Sequence, residues 1–247
     1  MSAASPPPAL AHLALEVSDL DRAARFYADR LGLVPSRRSR TELAFDVGGT
    51  DLVCRRPRSV PRGGLHVHFA FETPAREYDA WRARFPDAEE VSFDSFRSLY
   101  PFDDDGHCPE VGGVADGGAG LVGVFEVVLE VANLDDTERT YRALGFEPVD
   151  RGVERRRVRL RGPAGADRPF DLELWEPQVG LAGARGGVHV DIGVRLDDPA
   201  AAAERAFGDA PAVRPLERPD GSVELYDADG HHLLLYPTDR DGAAAER

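Results

Sequence analysis

Val127-Val-Leu-Glu-Val-Ala-Asn-Leu-Asp135 repeats Leu13-Ala-Leu-Glu-Val-Ser-Asp-Leu-Asp21 position by position. In both copies apolar and polar residues alternate as in a strand, and a helical pattern follows directly. After the first copy, Leu20, Ala23, Ala24, Tyr27 and Leu31 recur at helical spacing, with Ser18 or Asp19 as N-cap and Gly32 as stop. Tyr141 falls in the second copy where Tyr27 falls in the first. Two further echoes complete the pattern: Gly186 to Val194 repeats Gly63 to Phe71, and Asp227-Ala-Asp-Gly-His231 repeats Asp103-Asp-Asp-Gly-His107. The chain therefore reads as four strand-helix-strands units. Val111 to Gly120, rich in glycine, reads as the linker between two pairs of units.

A chain of 247 residues has room for such an arrangement with a sizeable core. No apolar run approaches the ~20 residues needed to cross a bilayer, and Met1 to Pro8 lacks the basic and apolar regions of a signal peptide. Two cysteines, Cys54 and Cys108, are too few for a disulfide framework and read as free thiols in a reducing cytosol, hence a cytoplasmic protein. Net charge is −14 and all 30 basic residues are Arg. That balance excludes nucleic acid and anionic membranes as partners, since both require a basic face. It fits a salt-adapted protein whose self-repulsion is screened, and equally an Arg-rich composition from a GC-rich genome.

The chemistry concentrates in Ser98-Leu-Tyr-Pro-Phe-Asp-Asp-Asp-Gly-His-Cys-Pro-Glu110. Asp103 to Gly106 is turn chemistry, and Glu110 sits just beyond it in a predicted strand. A buried carboxylate must be paired or bound to metal, and His12 and His68 each open an apolar strand upstream. His66 shares a face with His68, two residues away.

These motifs in this order resemble the vicinal oxygen chelate superfamily, which includes glyoxalase I, fosfomycin-resistance thiol transferases, bleomycin-resistance proteins and extradiol dioxygenases. The resemblance covers roughly Leu10 to Pro237. It implies an α+β fold of four βαβββ modules in two pairs, each pair an open cupped mixed sheet with helices outside. The boundaries expected are tails at 1–9 and 238–247, one domain at 10–112 with the metal site, a linker at 113–121, and a second domain at 122–237 with a degenerate site. Carried over by position, the metal ligands are His12, His68 and Glu110, a facial triad for one divalent ion, Fe2+ or Mn2+ ahead of Zn2+ or Ni2+. Val53 stands where glyoxalases carry a fourth ligand. The corresponding positions of the second pair are Glu126, Asp191 and Leu234, with Glu173 in the place of Val53. Glu126, Glu173 and Asp191 form an acidic set suited at most to a hard cation.

Tyr100 lies where extradiol dioxygenases carry a tyrosine that contacts the catecholate, although their acid-base histidine is missing and only His66 or His107 stands in for it. The resemblance thus implies a metal-dependent enzyme acting on a small substrate with adjacent oxygens, dioxygenase-like first, with Tyr100 and His66 as catalytic residues. The alternatives are a glyoxalase-type lyase or thiol transferase, and a non-catalytic binding protein, monomeric or homodimeric.

Overall fold

The computed structural model describes residues 6–57, 67–154, 156–176, 190–208 and 214–238. The first module comprises β1 (Leu10–Glu16), α1 (Leu20–Ala24, continued by a π-helical turn Arg25–Arg30), β2 (Pro35–Arg38), β3 (Glu42–Val47) and β4 (Thr50–Arg55). The second comprises β5 (His68–Pro74), α2 (Tyr78–Arg84), β6 (Glu89–Ser92), β7 (Arg97–Tyr100) and β8 (Cys108–Ala115). In the third are β9 (Gly123–Glu130), α3 (Leu134–Ala143), β10 (Glu147–Arg151), β11 (Arg157–Gly162) and β12 (Phe170–Trp175). The fourth holds β13 (Asp191–Leu196), α4 (Pro199–Phe207), β14 (Leu216–Glu217), β15 (Val223–Tyr226) and β16 (His232–Pro237). Each is a βαβββ unit, as expected. Three of the helices start where a side chain caps the first turn: Asp19 accepts from the Arg22 amide, Asn133 from Asp136 and Asp198 from Ala201.

The strands form two mixed eight-stranded sheets, ordered β14-β15-β16-β13-β1-β4-β3-β2 and β10-β11-β12-β9-β5-β8-β7-β6. This corrects the expected pairing. The first module shares a sheet with the fourth, through β1 against β13, and the second with the third, through β5 against β9. The glycine-rich stretch does not separate two sheets: β8 runs on to Ala115, and residues 116–122 return the chain to β9 on the other side of β5. The boundary drawn at 113–121 therefore falls inside one sheet. The expected tails also begin further out, because Ala9 is buried and bonded to Arg168 and Arg195, and Thr238 bonds to Leu196 and Asp197. Residues 1–5 and 239–247 lie outside the described residues.

One continuous core takes in alternate residues of the central strands, among them Leu13, Phe69, Val127 and Ile192, and the buried faces of the helices. Full burial of each such side chain is worth about 1.5–3 kcal/mol over leaving it exposed. The intervening positions, His12, His68, Glu126 and Asp191, point to the opposite face, the inside of each cup.

Consecutive modules, although split between sheets, are latched by the acidic turns. Tyr27 donates to Asp103 (2.9 Å), whose other oxygen accepts from the amides of Asp105 and His107, while His107 Nε2 reaches the carbonyl of Glu16 at the end of β1. The second copy is the same: Tyr141 donates to Asp227 (3.0 Å), Asp227 accepts from Asp229 and His231, and His231 reaches the Glu130 carbonyl. Burial and the neighbouring aspartates push both phenols well above their usual range, so both stay neutral donors. The Tyr–Asp repeat in the sequence is thus a fastening, and His107 belongs to it. Tyr141→Phe removes the donor to a buried carboxylate and should cost ~1–3 kcal/mol, read as a lower urea midpoint with an unchanged slope.

Candidate metal centre

The regrouping of modules redistributes the site residues. His68 and Glu110 come together: His68 Nε2 lies 3.0 Å from Glu110 Oε2, both side chains buried. His12 is on the other sheet, so the triad His12, His68 and Glu110 is not assembled. Glu126 and Glu173, expected in a separate degenerate site, instead share the cup of His68 and Glu110, whereas Asp191 lies with His12. His66 falls outside the described residues.

Register explains the second sheet's cup. Ala70 on β5 pairs with Glu110 on β8 and with Glu126 on β9, so two carboxylates flank one methyl group on the same face. Ser98 pairs with Gly112 and Leu99 with Val111, and the Tyr100 hydroxyl lies beside the Glu110 carboxylate. The Tyr100 and Trp175 rings both meet His68 edge-on, at 5.6 and 5.4 Å, and Trp175 Nε1 donates to Glu173 (2.7 Å). Burial, then the Glu110 and Glu126 charges, push the Tyr100 hydroxyl far above its usual range. It is a neutral donor at the wall of the cup.

Two arginines complete this cup, and the sequence reading passed over both. Arg157, Arg159 and Arg161 alternate along β11 and face Trp175, Glu173 and Asp171 across the antiparallel pair β11–β12. The run Arg155-Arg-Arg-Val-Arg-Leu-Arg161, at period 2, was the available signal. Arg157 Nη1 lies 2.8 Å from Glu173 Oε1, and Arg159 spans Glu126 (Nε, 2.9 Å) and Glu173 (Nη2, 3.4 Å). Even so, burial followed by repulsion from Glu173 pushes the Glu126 carboxyl up to about 8.

The first sheet's cup is built differently. His12 Nε2 (3.1 Å) and His232 Nδ1 (2.8 Å) both approach Asp191 Oδ1, Arg55 pairs with the other oxygen, and His232 Nε2 meets Glu224 (2.8 Å). Ala14, Ala44 and Val53 line the cup beside this network. Gly193 leaves room for the His12 and Tyr236 rings, which a Cβ there would strike. Leu234 and Val53 provide no donors where the second cup has Glu110 and Glu173.

A divalent ion suits the second cup by donor chemistry: one imidazole and three carboxylates stand at the four positions the resemblance assigns to ligands. The 3.0 Å between His68 and Glu110 is close to the spacing of neighbouring ligands around an ion with bonds of ~2.1 Å. Glu126 Oε2 is buried and makes no aligned hydrogen bond. Among the described residues no three donors are already gathered as a metal cluster; Glu126 and Glu173 meet arginines instead. Cys54 and Cys108 are buried free thiols; burial raises both, Cys108 to about 12, so neither is a thiolate ligand.

Residues 9–106 match the family described as the Glyoxalase/Bleomycin resistance protein/Dioxygenase superfamily. The matched span takes in the first module and the second as far as the acidic turn, stopping short of β8. Glyoxalase I from Zea mays has the same fold, with TM-score 0.67 and 20% identity over 93% of this chain and 92% of that one. A putative dioxygenase from Bacillus subtilis is similar over 98% of this chain and 88% of its own, with TM-score 0.71 and 16% identity. The chain shares the fold of these proteins, built here as two cupped sheets. Among the described residues no helix is long and apolar enough to cross a membrane.

Proposed function

We propose that the cup of the second sheet holds one divalent ion and that the protein is an enzyme of glyoxalase type, moving a proton between adjacent carbons of a small substrate with neighbouring oxygens. One observation carries this reading: once the modules are paired as β5 with β9, His68, Glu110, Glu126 and Glu173 occupy all four ligand positions of a single cup. Glu173 would supply here the fourth donor that Val53 cannot supply in the first cup. Three carboxylates to one imidazole make the site oxygen-rich, favouring Mn2+ or Fe2+, with Zn2+ and Ni2+ also suited.

An ion bound there supplies Lewis-acid polarisation of two neighbouring substrate oxygens. The chain does the rest. Tyr100 and Trp175 fix the His68 ring, and Trp175 adds an apolar wall that excludes water. The Tyr100 hydroxyl donates to a substrate oxygen. A carboxylate, Glu126 or Glu173, takes the proton from the carbon bearing the hydroxyl and returns it to the neighbouring carbon while the hydroxyl proton passes to the neighbouring oxygen, so that hydroxyl and carbonyl exchange places and no oxidant is needed. Buried free thiols and the acidic surface suit a cytoplasmic protein with a small-molecule substrate.

Tyr100, beside Glu110 and against His68, favours a second reading, the dioxygenase-like one. Two assays on metal-loaded protein separate them. An α-hydroxycarbonyl compound in D2O, followed by NMR, should exchange its carbon-bound hydrogen faster than with chelator-stripped protein. Oxygen uptake with a catechol and no such exchange would replace the first reading by the second.

A further inference from the structure

Every cation that binds carboxylates in the second cup competes with a cation the chain already carries. We propose that Arg159 occupies, between Glu126 and Glu173, the place a divalent ion takes, so that metal binding to this cup is an exchange of guanidinium for metal. The inference rests on the reading of the second cup as a metal centre and adds what sets its affinity.

The geometry points to a stand-in charge rather than a fitted ion pair. Elsewhere on these strands arginine meets carboxylate as an aligned fork: Arg161 gives Nε and Nη2 to the two oxygens of Asp171 at 2.7 and 2.9 Å, and Arg151 grips Glu138 at 2.8 and 2.6 Å. Arg159 does neither. Its Nε is 2.9 Å from Glu126 Oε2, yet neither atom makes an aligned hydrogen bond, and its contact with Glu173 is long at 3.4 Å. Arg159 therefore contributes charge more than directed bonding. Burial opposes its charge, and Glu126 and Glu173 are the first two groups that favour it. A guanidinium and a dication cannot share Glu126 Oε2 without strong repulsion in so buried a place. Arg159 keeps 27% of its side chain exposed, against 4% for Glu126, so the arginine is the partner with a way out, toward Asp150 at the rim of β10.

The test compares wild type, Arg159→Met, Arg159→Lys and Arg161→Met, each stripped with chelator, by calorimetric titration with Zn2+ and with Mn2+. Arg159→Met should bind about tenfold tighter or more, Arg159→Lys should fall between it and wild type, and Arg161→Met should match wild type. Without metal, Arg159→Met should melt below wild type and recover more than wild type on adding ion, because its carboxylates are left crowded. If Arg159→Met binds no tighter while wild type binds, the exchange is refuted and the metal centre stands. If Arg161→Met gains as much, the effect is general charge and the exchange is refuted. Absence of binding in both wild type and Arg159→Met overturns the exchange and the metal reading together.

Discussion

Asp191→Asn should lower the stability of the fold by about 3–5 kcal/mol at neutral pH, the usual consequence of leaving a buried charge without its partner. The carboxylate is 2% exposed and holds three groups at once: the imidazoles of His12 and His232 on one oxygen and the Arg55 guanidinium on the other. Arg55 is itself only 4% exposed, so it has no water to fall back on. Asn keeps the volume, which separates lost charge from a cavity. Burial alone would raise the Asp191 carboxyl, but the two imidazoles and Arg55 hold it well below its usual range. The sign follows: an acid depressed in the fold contributes stability that is present above its unfolded value, ordinarily near 3.9, and lost as pH falls through its folded value. The gap between wild type and Asp191→Asn, measured by urea denaturation, should be largest near neutrality and close under strongly acid conditions. A gap of less than ~1 kcal/mol at pH 7 would mean that the network does not hold the two halves of the first sheet.

The four modules were legible because each first strand alternates polar and apolar residues and three of the four helices begin at a capping side chain. Those are local signals, and local signals survive in any tertiary arrangement. Which module lies beside which was not legible. His12-Leu-Ala-Leu-Glu16 and His68-Phe-Ala-Phe-Glu72 present the same two faces, so either fits beside any other first strand. Connection length held the missing clue. The glycine-rich return at 116–122 is the shortest passage between modules, and short passages join neighbours within a sheet; it was read by composition as a linker. The acidic turn misled in a related way. It does bind the second module to the first, but through the end of β1 rather than through a shared sheet. Placing His12 with His68 and Glu110 followed from that one error, and so did the separation of Glu126 and Glu173 from them. Arg159 was missed because it holds no family position, although the arginine stripe and the acids it faces follow the same period of two.

The pairing of modules also decides how metal affinity should respond to substitution. Glu110→Gln should weaken Zn2+ or Mn2+ binding by about 100-fold or more, roughly 2.7 kcal/mol, since Gln keeps the shape of a ligand and gives up its charge. The same change removes one of the two carboxylates flanking Ala70, beside a Glu126 that burial and Glu173 already push up to about 8. Stability without metal should therefore be unchanged or slightly raised, which separates loss of a ligand from loss of the fold. His12→Gln provides the contrast. His12 bonds to Asp191 in the first sheet and faces Tyr236 at 5.9 Å, so its loss should disturb that network and leave metal binding in the second cup intact. A ligand set of His12, His68 and Glu110 requires both variants to lose metal, whereas the set His68, Glu110, Glu126 and Glu173 requires only the first to do so. Titrating the two stripped variants side by side distinguishes the sets, and equal losses in both would return His12 to the site.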